Sequence, residues 1–229
     1  MEKNDNENPY FTRLKNMKKT TEWLYEQRAQ KAVEALKKNA FEAQYVKDGD
    51  VARTEILSRI PKDATIGVGG SMTMRQIGVL DALEKQGNVI YDHWKPGVSQ
   101  EEVLKIRKEH LTCDVFLASS NAVTLNGMLV NTDGAGNRVG AMMFGPGKVI
   151  VVAGFNKIVE DLDSAFKRIK EVVTPQVVKD MGIELPCAVT GFCNDCNSPM
   201  RACRATVILE RKPIFTDILV LIVGEDLGF

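Results

Sequence analysis

The 229-residue chain carries 30 Lys and Arg against 30 Asp and Glu, and 44% of its residues are hydrophobic. A chain of this size buries roughly 72% of the surface it exposes unfolded, enough for one sizeable core without disulfides, while the balanced charge offers nucleic acid no global basic field. Five cysteines, four of them crowded near the C-terminal end, do not form the spread framework of a secreted disulfide mini-protein. No apolar core follows the polar start, as a secretory signal would require, and no run approaches ~18 apolar residues. The expectation is a soluble cytoplasmic protein with no membrane span, whose thiols stay reduced.

Residues 1–8 are polar and read as frayed. Over 9–39, Phe11, Leu14, Met17, Trp23, Leu24, Val33 and Leu36 recur at roughly helical spacing, with eight Lys/Arg against three Glu, predicting a helix or helix pair. A strand is expected at 41–46 and a helix at 51–60. ATIGVGG (64–70) reads as a buried strand running into glycines. A helix capped by Ser71 follows over 71–87, with Gly87 just beyond its end. Residues 88–92 read as a strand, and 99–110 as a helix whose Ser99 and Glu102 fit a capping box. CDVFLAS (113–119) is a strand, AVTLNGMLV (122–130) a hairpin turning at Asn126-Gly127, 131–137 a loop and 138–145 a short helix. Residues 148–154 then form a strand and 159–173 a helix. The pattern blurs after Pro175 until two strands at 205–210 and 217–224. Strands alternating with helices indicate an α/β fold with a mostly parallel sheet flanked by helices. The division expected is an N-terminal helical extension over 1–40 and an α/β domain over 41–229 that includes a cysteine-rich loop at 186–204.

Three constellations carry chemistry. At Gly69-Gly70-Ser71-Met72-Thr73 a strand meets a helix, where glycines permit close approach and backbone N–H groups favour an anion; the same residues also make an ordinary capped turn. The stretch 121–138 interleaves Asn121, Asn131, Asp133, Asn137 and Arg138 with glycines, Gly134 among them. It suits either a polar-ligand loop with Arg138 as anion clamp or an Asx network in which Asn137 caps the next helix. Cys187, Cys193, Cys196 and Cys203 lie within seventeen positions, with only one CxxC pair. Thiolates suit an iron–sulfur cluster or zinc, irregular spacing suits a cubane, and Arg201 and Arg204 stand by to offset its charge; reduced or redox-active thiols remain the third reading. Cys113 reads as an inert core thiol. His93 and His110 have no evident partner, so no catalytic pair is assigned, and no flavin or nicotinamide fingerprint is present.

GGSMTMRQIG, NAVTLNGMLVNTDGAGNRV, KVIVVAGFNKIV and VGEDLGF, in that order, resemble the LUD domain, the lactate-utilisation protein family, from about residue 10 onward. The segment PCAVTGFCNDCNSPMRAC resembles that of a subgroup carrying four cysteines. The resemblance implies a fold like that of ribose-5-phosphate isomerase, glucosamine-6-phosphate deaminase and CoA transferases, with the ligand cleft at the strand ends. It makes Gly69, Gly70, Ser71 and Thr73 an anion-holding loop, and Asn121, Asn131, Asp133, Gly134, Asn137 and Arg138 the family's polar loop. CoA transferases attack with a carboxylate; where the family commonly places an acidic residue before the hairpin glycine, this chain has Leu125-Asn126-Gly127.

The function implied is an iron–sulfur-binding component of a system oxidising L-lactate to pyruvate. A 4Fe-4S cluster would sit on Cys187, Cys193, Cys196 and Cys203, a small carboxylate or phosphate in the cleft, and oxidoreductase partner subunits would complete the reaction; catalysis by this chain alone is left open. One alternative is a sugar-phosphate isomerase or CoA-transferase-like enzyme or sensor with structural zinc, in which Asp133 is the base or ligand-positioning group and Arg138 the anion contact. Another is a non-catalytic scaffold subunit.

Overall fold

The longest apolar runs of the sequence form the centre of a parallel sheet. The computed structural model describes residues 9–229; the polar stretch 1–8 and the side chains of Phe11 and Leu14 lie outside the described residues. Six strands pair in parallel in the order β1-β10-β7-β4-β2-β3. These are β1 (Glu42–Val46), β2 (Thr65–Val68), β3 (Val89–Asp92), β4 (Val115–Ala118), β7 (Lys148–Gly154) and β10 (Asp217–Val223). The middle strands are covered on both faces and are therefore apolar without alternation. Val149, Val151, Val220 and Ile222 pack to one side with Leu36 and Phe41, and Ile150, Val152, Leu219 and Leu221 to the other with Ile56 and Leu83.

Helix α1 (Pro9–Lys38) is one continuous helix rather than a pair. Its last turns place Ala29, Ala32, Val33 and Leu36 in the core at helical spacing, whereas Met17, Trp23 and Leu24 are exposed. The C-terminal part of the expected extension is thus core of the α/β unit. Helices α2 (Gly49–Arg59), α3 (Met72–Gln76) and α4 (Val79–Gln86) lie on the opposite face. The single helix expected over 71–87 is broken: Gly78 takes a left-handed φ of 67°, and Arg53 donates to the Ile77 carbonyl at 3.0 Å. In α5 (Gln100–Glu109) the capping box forms as expected, Glu102 N donating to Ser99 Oγ and Ser99 N to the Glu102 carboxylate.

A second, four-stranded sheet has the order β8-β5-β6-β9. The hairpin β5 (Ala122–Thr124) and β6 (Leu129–Asp133) forms as expected, but β6 extends through Asp133, into what the sequence suggested was loop. The short β8 (Ile158–Val159) adds to β5 and β9 (Ala205–Leu209) to β6. The hairpin turn docks on α1: Gly127 has φ 80°, a Cβ there would lie 2.4 Å from the Ala35 carbonyl carbon, and Asn39 Nδ2 donates to the carbonyls of Asn126 and Gly127. Helix α6 (Asn137–Met143) follows β6, and α7 (Leu162–Arg168) runs through a wider π turn, Ile169–Val173, into α8 (Thr174–Asp180). The region where the pattern blurs holds α8 and the short α9 (Pro186–Thr190). Among the described residues no helix is long and apolar enough to cross a membrane.

Candidate functional site

The C-terminal ends of β2, β4 and β6 and the turn after β7 converge on a cleft of about 490 Å³, lined also by α8 and by Pro199, Met200, Arg201, Ala202 and Arg204 of the cysteine loop. Strand ends in a parallel sheet are where ligands sit, because backbone groups and loop side chains converge there. Gly69 and Gly70 are required by packing. A Cβ on Gly69 would lie 2.9 Å from the Arg138 stem, and Gly70, at φ 65°, has the Trp94 ring at 3.0 Å. Ser71 caps α3, its Oγ accepting from Met74 N at 3.3 Å.

The polar loop is a network that satisfies itself. Arg138 Nη1 donates to the Ser119 carbonyl and to Asn131 Oδ1; Nη2 donates to Asn121 Oδ1 and the Thr132 carbonyl, and pairs with Asp133 at 2.7 Å. Asp133 Oδ2 accepts from Val139 N at 3.0 Å. The N-cap of α6 is therefore Gly136, not Asn137: the left-handed turn at Gly136 carries the first helical turn back over the Asp133 carboxylate, which takes the Val139 N–H. Asn137 instead bonds His110 Nδ1 at 3.4 Å, while His110 Nε2 faces the Tyr91 carbonyl at 3.1 Å and so carries the proton. Of the ten sequence-derived cleft residues, Gly69, Gly70, Ser71, Thr73, Asn121, Asp133, Gly134, Asn137 and Arg138 line the cleft. Asn131 is 1% exposed and stands behind it. With its Nη groups bonded to five protein oxygens, Arg138 ties β4, β5 and β6 to α6. Asn126 and Gly127 are turned to α1 and do not line the cleft.

Sequence reasoning missed the most unusual side chain there. Lys157 ends the 3-10 turn Phe155–Lys157 after β7, is 4% exposed, and donates to Ser119 Oγ at 2.9 Å and Thr73 Oγ1 at 3.1 Å. Burial, then Arg168 and Arg138 nearby, push its amine down to about 7. Its signal in the sequence is position: a lysine just beyond a fully apolar strand, at the ligand end of the sheet. His93 also lines the cleft; its Nδ1 is buried without a partner, and desolvation first, then the neighbouring His110, lowers its pKa to about 4. In all, Arg107, Arg138, Lys157, Arg201 and Arg204 face the cleft against only Asp133 and Asp180 among acidic side chains.

The LUD domain model matches residues 29–223, most of the chain. The chain belongs to the LUD domain family. Membership supports an association with lactate utilisation at the level of the family. A solved DUF162 family protein from Deinococcus radiodurans has a similar fold, with a TM-score of 0.52 at 12% identity, over 87% of this chain and 98% of that one. No curated protein matches the sequence.

In this LUD domain Cys187, Cys193, Cys196 and Cys203, all free, line one small pocket of about 10 Å³ beside the cleft. Thr174, Arg201 and Ala202 belong to the walls of both. Arg201 folds the loop, donating to the carbonyls of Cys196 and Cys203 at 2.9 Å and to Asp195 at 2.7 Å. The loop is held to the cleft by Arg204 N donating to the Asp133 carbonyl at 3.0 Å, with Ala202 O 3.1 Å from where a Cβ on Gly134 would stand. Among the described residues no three His, Cys, Asp or Glu side chains stand close enough to share one ion. Cys113 is core: its Sγ faces the His110 and Val115 carbonyls, and burial raises it to about 11.

Proposed function

We propose that this LUD-domain chain is an iron–sulfur-binding component of a system that oxidises L-lactate to pyruvate, holding a small carboxylate or phosphate in its cationic cleft. The carrying observation is that four free thiols line one pocket whose wall, at Thr174, Arg201 and Ala202, is also the wall of a cleft with five basic and two acidic side chains. Cys187, Cys193, Cys196 and Cys203 would hold the cluster, and the cluster would supply one-electron transfer. The donor chemistry fits, since soft thiolates without disulfides suit iron. Exposed Val189, Phe192 and Met200 around the loop give a partner subunit an apolar landing.

The pocket volume supports a second reading. About 10 Å³ is close to the room one water or ion needs, which suits structural zinc in an enzyme or sensor of the sugar-phosphate isomerase or CoA-transferase type. Purification without oxygen, visible absorption, and iron, sulfide and zinc analysis decide between the two. Brown protein whose colour disappears in Cys193→Ser supports the cluster; colourless protein with stoichiometric zinc overturns it. A thermal-shift series with lactate, pyruvate and inorganic phosphate tests the cleft. No shift with any of them would overturn anion binding and leave a scaffold subunit.

A further inference from the structure

Lys157 has two features that an ordinary structural lysine lacks. It is buried in the turn that follows a sheet strand yet faces a cleft, and its Nζ bonds only the hydroxyls of Ser119 and Thr73, with no carboxylate among the described residues in ion-pair reach. Its charged neighbours, Arg138 and Arg168, are of its own sign. A buried ammonium in that setting is costly, and the relief available to it is loss of the proton. An amine desolvated beside other cations is an activated nucleophile toward carbonyl carbon.

We propose that Lys157 is a catalytic residue that forms an imine with a small aldehyde or ketone carrying a carboxylate. The basic side chains of Arg107, Arg201 and Arg204 supply the field for the carboxylate, and Arg107 Nε is buried without a protein partner. Val173, Val177 and Met181 add apolar side chains to the lining. In the reaction the amine lone pair adds to the carbonyl carbon as the C=O π pair moves to oxygen. One proton passes from nitrogen to that oxygen, and the Ser119 and Thr73 hydroxyls are placed to relay it. The carbinolamine then loses its hydroxyl and the second amine proton as water, leaving C=N. One carbonyl compound is consumed and one water released, with no oxidant or reductant.

The inference rests on the proposed function only in requiring that the cleft admit a small carboxylate. The test is to incubate the full chain with glyoxylate or pyruvate and sodium cyanoborohydride near neutral pH, followed by intact mass and peptide mapping. The expected result is a single reduced adduct on the peptide containing Lys157, formed on the order of 100-fold faster than at exposed lysines such as Lys18 and Lys37, because far more of its amine is neutral at that pH. Lys157→Arg should abolish the adduct and Ser119→Ala should slow it. Adducts spread over exposed lysines with none on Lys157 would overturn the proposal, and the wild-type map decides this even should a variant fail to fold. Lactate, which has no carbonyl, separates the two readings. A thermal shift with lactate but no Lys157 adduct removes the imine and leaves the anion cleft; an adduct without a lactate shift keeps the imine and removes lactate as a ligand of the cleft.

Discussion

Replacing Lys157 by Met should make the chain more stable near neutral pH and remove part of its pH dependence. The amine titrates at about 7 when folded and at 10.5 in its ordinary state. Between those values the unfolded chain holds a proton that the folded one has released, so stability rises with pH across that window. Below about 7 both states are protonated and the whole cost is present. A window from about 7 to 10.5 corresponds to about 5 kcal/mol, at about 1.4 kcal/mol per pH unit. Against this, Met forfeits two hydrogen bonds worth about 1 kcal/mol each. Part of that loss is recovered because Thr73 Oγ1 and Ser119 Oγ are already 3.3 Å apart and bond each other. The net expectation is a gain of about 3 kcal/mol at or below pH 7, shrinking by about 1.4 kcal/mol per unit as pH rises. Urea denaturation of both proteins over a pH series measures it, and the difference between the curves cancels groups common to both. A difference that does not change with pH, or a Met variant less stable on the acid side, would refute the reasoning.

Arg138→Leu should cost about 3–5 kcal/mol, because it leaves the buried carboxylate of Asp133 unpaired; a shift of the urea midpoint worth less than about 1 kcal/mol would show that the network reorganises around the loss. Gly127→Ala should cost about 2–4 kcal/mol, combining a left-handed φ with a clash against the α1 backbone, and a thermal midpoint equal to wild type would contradict the docked turn. His93 should remain neutral in an NMR titration down to about pH 4. Since the unfolded chain takes up that proton at higher pH, its share of stability is present above about 6.5 and lost as pH falls through about 4; titration near the ordinary value would place the ring in water instead.

What was legible in the sequence was local or periodic. Unbroken apolar runs gave β4, β7 and β10, because strands covered on both faces have no polar side to show. Ser71 and Ser99 gave helix starts and Asn126-Gly127 a turn, because a cap or a tight turn is made by groups a few residues apart. Most of the cleft loop was legible for the same reason: glycines and Asx residues clustered at a strand end. The break at Gly78 was hidden, since the apolar period runs through it and the group that meets the carbonyl of Ile77 is Arg53, on another helix. Asn137 read as the cap, but the carboxylate within reach belonged to Asp133, one turn of backbone earlier. The tertiary structure alone decided the burial of Lys157, which depends on Thr73, Ser119, Arg138 and Arg168 arriving from separate elements. It alone also set the cysteine loop against the cleft, through Arg204 meeting Asp133 across the β6–β9 pairing. Composition counts lysines and cysteines, whereas the dielectric and the neighbours that give them chemistry exist only once distant segments have packed.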